Sequence, residues 1–585
     1  MLKSLSGLLI IINLLILPIS VSAQAKQKVS LLLFNGKVFT ADAQFTLAES
    51  VAVDGERIVA VGTTRDLRAK YQADKEIDLQ GRLVTPGFND AHVHFLRGAL
   101  SLLTVDLVGV KTLEEAKARI AAKAKELKPG EWIIGRGWDH TLWGGTFPSK
   151  KDLDPLAPNN PVYLVRVDGH VAWVNSKALE LAKIDKNTKS PEGGEIERDA
   201  AGEATGILKE TSQALVAALI PQPTPEQLNK AMTLALDMAR RYGITSVQDN
   251  SGYETTKLYR QFLQAGKLIV RVSEWQDFED SVEKLKQQRD EFASFKDDPN
   301  RLHLGAVKGY VDGTLGSKTA AMLAPFSDDD KNMGIPRRPQ EELTRMMVER
   351  DAAGFQITLH AIGDKANRMA LNGYEAAFQK NSNLSGRFKP TVNTEKSGGQ
   401  KGLSTEFPLN YNSPRHRIEH AQVVNPSDFK RFAELGIIAS MQPSHAISDK
   451  RWAESRLGEY RVLGAYAWHF MQSYGVHVPF GTDFPVESIN PYRTLYAAVS
   501  RQDEEGIPDG GWQPQEKLSI AAAIRCHTYE SAYAEFMEKE KGMIAVGMLA
   551  DLVVHSKDLL TVEPKEILTT EPVYTIFGGR IVYQK

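Results

Sequence analysis

The amino-acid sequence predicts an α/β protein: a (β/α)8 TIM-like barrel with a composite β-sandwich built from both ends of the chain. Three observations predict it. Short apolar or alternating runs joined by tight-turn pairs fill residues 29–84 and return near the C-terminus. Between them, over roughly 85–530, helical and strand patterns alternate, as parallel βα units do. Several of those strand-like runs end in a residue able to bind a metal or carry a proton. A parallel barrel gathers its strand C-termini in one mouth.

Residues 1–23 come first. Lys3, an apolar run from Leu8 to Leu17, and the small residues of Val21-Ser22-Ala23 stand in the order of a secretory signal peptide. The run falls short of the about 20 apolar residues a membrane span needs. Cleavage after Ala23 is expected, with export to a periplasm or the medium and no stable membrane anchor afterwards. No cysteine follows the run, so a lipoprotein anchor is not indicated. Residues 24–84 form the first part of the sandwich, with "VSLLLFNGKVFT", "SVAVDGERIVAVG" and "KEIDLQGRLVTPG" turning at Asn35-Gly36 and Asp54-Gly55.

Residues 85–530 form the barrel. "LEEAKARIAAKAKELK" and "PEQLNKAMTLALDMARRYG" carry helical periodicity, while "ITSVQDN", "HLGAVKGYVDG", "QITLHAIGD", "IIASMQPSH" and "HVPFGTDFP" are strand-like. Within it, 379–414 is polar and lacks sustained periodicity, which predicts a surface-loop insertion. Residues 531–585 complete the sandwich with "MLADLVVHS" and "PVYTIFGGRIVYQK".

The 585-residue chain is 42% hydrophobic and 25% charged, enough apolar sequence for a large core. A net charge of −2 and the lack of a basic stripe give no support for nucleic-acid binding. The expected partner is a small-molecule substrate, and self-association into a homo-oligomer is compatible with these numbers. Cys526 is the only cysteine, so no intrachain disulfide forms; its helical surroundings predict a buried, inert thiol.

His92 and His94, in "PGFNDAHVHF", share one face of a strand because side chains at i and i+2 point the same way. Two imidazoles aimed at one point suit a metal; two polar residues at a strand end are the bland alternative. Lys308, His360, His420 and Asp483 end further strand-like runs. Nitrogen and oxygen donors of this kind suit zinc, and less specifically iron, manganese or nickel. Each also has an ordinary reading: Lys308 as an ammonium paired with Asp312, His360 as a capping or core histidine, Asp483 as a helix cap. Trp138, Asp139, Trp143, Asp168, His170 and Trp173 fall on loops or strand ends, where aromatic residues either wall a substrate pocket or pack beneath the insertion.

The stretches "TPGFNDAHVHF", "VKGYVDGTLGSKTA", "LHAIGDKA", "HRIEHAQ" and "GTDFPVESINP" occur in series from 85 to 491, with "GMLADLVV" beyond them. In these the chain resembles the amidohydrolase superfamily, in its amidohydrolase-3 or YtcJ-like branch. The resemblance implies that His92 and His94 bind one metal and His360 and His420 a second. Lys308 would bridge them as a carbamate, and Asp483 would complete the first site. One or two divalent ions, zinc foremost, are the implied cofactor. The resemblance also places the "GWD" and "GH" stretches, with Trp138, Asp139 and His170, along the substrate cavity. His445, at a seventh-strand position, would orient substrate.

The chemistry expected of such a site is hydrolysis of a non-peptide C–N bond, of amide type, by metal-activated water, with Asp483 as base and then acid. Esters, carbamates and cyclic amides are alternative substrates at the same site, and a non-catalytic binding protein on the same fold is the rival from another class. Asp483 separates the two, because a binder needs no carboxylate beside the metal.

Overall fold

The computed structural model describes residues 25–167, 169–382 and 413–585. The signal peptide expected at 1–23 lies outside the described residues. So does the insertion expected at 379–414, except at its two ends, where the helix Asp364–Asn381 runs into its first positions.

Seven parallel strands form the barrel sheet: β1 Phe88–Val93, β2 Ile244–Asp249, β3 Arg271–Asp277, β4 Leu302–Tyr310, β5 Ile357–Ala361, β6 Arg417–His420 and β7 Ile438–Ser440. They pair in chain order, each with the next. Residues 477–483 occupy the eighth position. On one side Ala439 and Met441 donate to His477 and Pro479 at 3.1 and 3.0 Å; on the other, Ala91 donates to Phe480 at 3.0 Å and Asp483 donates to His92 at 2.7 Å. Pro479 has no N–H to give to a ladder, which explains why this stave is not a regular strand. Gly481 lets it approach β1: a Cβ there would stand 2.6 Å from the His92 amide nitrogen. Asp90 completes the closure, accepting from the Thr482 amide at 2.9 Å and hydroxyl at 2.6 Å.

The two ends of the chain build the sandwich. In one sheet Leu83–Pro86 pairs antiparallel with Leu552–His555, so N- and C-terminal segments share a ladder. The other sheet contains Gln27–Phe34, Ser50–Asp54, Arg57–Gly62 and Tyr71–Asp78. Leu31, Leu33, Val51 and Val53 from the second sheet meet Val38, Val84, Leu552, Val554 and Ile576 from the first in one core. These runs alternate because one face of each strand is buried.

One feature departs from the expected organisation. Between β1 and β2 the chain builds a separate mixed sheet. Val105–Asp106, Ile133–Trp138 and Val162–Arg166 are parallel, followed by antiparallel Val171–Val174, Ala204–Glu210 and Gly194–Arg198. It has its own apolar core around Ile120, Trp138, Leu164 and Trp173. Its strands carry the same short apolar runs as barrel strands, and periodicity does not say which sheet a strand joins.

Candidate metal centre

The C-terminal ends of the barrel strands converge on Asp483. Its Oδ1 lies 3.3 Å from Nε2 of His94 and 3.5 Å from Nε2 of His92; its Oδ2 lies 3.3 Å from Nε2 of His445. His92 ends the straight part of β1, and His94 caps the helix Phe95–Ser101 that follows. The ring of His420, from the end of β6, is 5.1 Å from His92 and 5.8 Å from His445. The ring of His360, in β5, is 4.6 Å from His420. Asp483 and His420 adopt left-handed φ values of 57° and 73°, conformations that cost a non-glycine residue free energy. Such strain persists only where surrounding contacts hold it, here at the two turns that aim side chains inward.

Outer contacts fix the rings. Nδ1 of His92 meets Glu419 Oε2 at 2.6 Å, Nδ1 of His94 meets the carbonyl of Asn250 at 3.1 Å, and Nδ1 of His420 meets Gln442 Oε1 at 2.8 Å. Each leaves Nε2 facing the centre, the arrangement by which a carboxylate or carbonyl orients a metal-binding imidazole. His360 differs: its Nε2 meets the carbonyl of Gly313 at 3.0 Å. Glu419 is itself held by Thr358 and by Nε of Arg417 at 2.8 Å. Arg417 reaches on to Gln248 and to the carbonyl of Ala91.

Burial sets the charge states. It lowers the pKa of His92 to about 4 and that of His360 to about 3, with the Lys308 charge adding to both shifts. Burial, then His360, holds His420 well below the ordinary imidazole range. Burial opposes the charge of Asp483, but the close imidazoles of His445 and His94, and then those of His92 and His420, outweigh it and hold the carboxyl well below its usual range. His445 shows the reciprocal effect: burial works against its charge, yet Asp483 raises its pKa to about 9. His92, His360 and His420, kept neutral by burial, together with the carboxylate of Asp483 form the donor set of a divalent cation.

Lys308 is fully enclosed, and burial brings its pKa down to about 8. Its Nζ sits 4.9 Å from the ring centroid of Tyr310 and 5.7 Å from that of Trp275. The ordinary reading, an ion pair with Asp312, is not what the structure shows. Asp312 gives its oxygens to the amides of Ile362, Gly363 and Ala321. Of the buried side-chain polar atoms without a hydrogen-bond partner among the described residues, four belong to this group: His92 Nε2, Lys308 Nζ, His445 Nε2 and Asp483 Oδ1. Unpaired buried polar atoms are costly and uncommon, and four at one point fit a cation among them. Among the described residues, two sets have mutually close donor atoms: His92, His94 and Asp483; and His420, His445 and Asp483.

The structure thus brings together His92, His94, Lys308, His360, His420 and Asp483, and adds His445 to them. It sets the other expected substrate residues elsewhere, on the inserted sheet. Trp138 is fully buried in that sheet's core, donating to the carbonyl of Leu164 at 2.8 Å, so it offers no surface to a ligand. Packing accounts for this residue and for the equally buried Trp173. Asp139 pairs with Arg166 at 2.8 Å and caps the turn His140–Trp143. His170 is exposed beside Glu210, at 3.0 Å. Asp168 lies outside the described residues. Cys526 ends a helix and is buried, which pushes its thiol pKa up.

Sequence reasoning missed Glu419, Arg417, Gln442 and Asn250. Glu419 precedes His420 directly in "HRIEH", and alternation alone turned it to the opposite face. In a closed barrel that opposite face is the barrel interior, under His92.

A barrel with imidazoles, a buried lysine and a carboxylate at its strand ends defines a class, the metal-dependent hydrolases. A sequence profile described as the Amidohydrolase family matches residues 75–395 and 404–583. The chain belongs to the amidohydrolase family. A profile of an imidazolonepropionase-like composite domain matches 51–71, in the sandwich. Among relatives, Putative amidohydrolase YtcJ of Bacillus subtilis is 30% identical over 94% of this chain and 98% of its own length. N-substituted formamide deformylase of Arthrobacter pascens is 28% identical over 95% of this chain and 98% of its own. An uncharacterised metal-dependent hydrolase from Pyrococcus horikoshii superposes with a TM-score of 0.71 at 26% identity, covering 91% of this chain and 99% of that one.

Proposed function

We propose that this protein hydrolyses a non-peptide C–N bond, of amide type, with His92, His94, Lys308, His360, His420 and Asp483 holding one or two zinc ions. The observation that carries the reading is Asp483: a buried, ionised carboxylate with its Oδ1 unpaired and facing the imidazoles of His92 and His94. A bound divalent ion supplies Lewis acidity, making a water molecule nucleophilic near neutral pH and polarising a carbonyl. The chain supplies the rest. Asp483 accepts the proton of the attacking water and returns it to the departing nitrogen. Glu419 and Gln442 hold His92 and His420 in orientation. His445, with its Nε2 3.3 Å from the far oxygen of Asp483, holds that side of the carboxylate by charge. The likeness to a formamide deformylase supports an N-acyl or N-formyl amine as substrate.

Lys308 would help to hold the metal as a carbamate, formed when its neutral amine, made available by burial, adds CO2 and releases a proton. Elemental analysis of the purified protein and a screen of N-acyl and N-formyl amines test the reading. Lys308→Ala should lower metal content and turnover together, and formate or acetate should restore part of both. Full metal occupancy in that variant would remove the carbamate. The amino-terminal pattern supports export, so N-terminal sequencing of the mature protein should begin at Gln24.

A further inference from the structure

A guanidinium with no ion pair among the described residues stands beside Tyr310, next to the centre. Arg337 is exposed, and among the described residues no carboxylate lies within ion-pair distance of it. Its neighbour Arg338, by contrast, pairs with Glu279 at 2.5 Å. Arg337 is nevertheless held in place. Its amide donates to the carbonyl of Val311 at 2.7 Å, and its guanidinium carbon lies 4.8 Å from the ring centroid of Tyr310.

Tyr310 joins this cation to the centre. It is the last residue of β4, and its ring centroid is 5.4 Å from that of His360. Its hydroxyl accepts from Asn250 at 2.9 Å, and the carbonyl of Asn250 is the partner of His94. One aromatic ring therefore separates a guanidinium that makes no ion pair among the described residues from the groups around Asp483. A long charged side chain loses rotamer freedom when it is pinned on a ring. A planar guanidinium fork matches a carboxylate with two parallel hydrogen bonds.

We propose that Arg337 binds a carboxylate of the substrate, so that the preferred amide carries a carboxylate a few bonds from its scissile carbonyl. This inference rests on the amide reading of the centre. Tyr310 then serves as the platform that spaces the two ends of the substrate. Arg337 is a specificity residue: it touches substrate away from the reacting atoms.

The test compares N-formylphenylalanine with its carboxamide, which has the same shape and no charge. The full-length, metal-loaded protein, Arg337→Gln and Arg337→Lys are used. The wild type should prefer the carboxylate by tenfold or more in kcat/KM. In Arg337→Gln this preference should collapse towards one, mainly through KM. Arg337→Lys should keep part of it, because the charge remains and the fork is lost. A wild type that hydrolyses both compounds equally, or a preference that persists in Arg337→Gln, overturns the inference. If neither compound is hydrolysed, the screen of N-acyl and N-formyl amines decides the amide reading. Calorimetric binding of N-formylphenylalanine then decides on Arg337: tenfold weaker binding to Arg337→Gln sustains the assignment, and equal binding overturns it.

Discussion

Asp483 divides its carboxylate between two sides, with Oδ1 toward His92 and His94 and Oδ2 toward His445. Asparagine at this position keeps the shape and one acceptor but removes the charge and the basic oxygen. Positioned acid–base groups contribute about 10²–10⁴-fold to rate, so Asp483→Asn should lower turnover at least about 10²-fold. Metal content, read by elemental analysis, should fall much less, because the imidazoles remain. Near-normal turnover would take Asp483 out of the chemistry. Glu419 acts one step further out, through His92. Glu419→Gln keeps the volume but weakens the hydrogen bond that orients the ring and leaves Arg417 without its negative partner. Such outer-shell changes cost about 10–100-fold in metal affinity, a loss that competition with a chromophoric chelator would measure. Unchanged affinity would show that the imidazole needs no carboxylate to hold its orientation.

At the scale of elements, the helix Ile520–Cys526 is fastened to β1 through His527. The Asn89 amide donates to the His527 carbonyl at 2.9 Å, and His527 Nδ1 meets the Asn89 carbonyl at 3.2 Å. The His527 ring is buried against Phe88, and burial lowers its pKa to about 4 from the ordinary 6.5. The unfolded chain therefore takes up this proton first. The stability that depends on neutral His527 is complete above the ordinary value and is lost as pH falls from there towards about 4. Replacement by glutamine removes this term. Between pH 7 and pH 4 the stability of wild type relative to His527→Gln should fall by up to about 3 kcal/mol, measured by urea unfolding at each pH. A pH-independent difference would show that the ring charges without cost in the folded state.

For the whole molecule, the groups around Asp483 come from β1, β4, β5, β6, the stave at 477–483 and the helix Pro443–Arg461. The stretch between the helix Asp364–Asn381 and β6 is polar and lacks sustained periodicity, the pattern of an insertion. Replacing residues 383–412 with a short Gly/Ser linker should leave metal content unchanged within error. Loss of metal would show that the stretch supports the centre. The inserted sheet touches the site region through Arg136, whose guanidinium reaches the carbonyl of Pro485, two residues past Asp483, at 3.5 Å.

The sequence by itself determined the barrel, the shared sandwich and most of the inward-facing groups, because each is written in local pattern. Alternation places His92 and His94 on one face, and polar residues at the ends of apolar runs mark strand termini whatever the partner strands are. Tertiary structure decided the rest, because it depends on which elements meet. "GRGWDH" reads equally well as pocket wall or core, and only the pairing of Ile133–Trp138 into a separate sheet buried Trp138. Glu419 became the partner of His92 because closure of the barrel brings β6 across from β1, residues 327 positions apart in the chain. His445 joined the centre because the helix Pro443–Arg461 begins beside the stave that carries Asp483. Those distances are set by packing between segments far apart in sequence, and no local spacing encodes them.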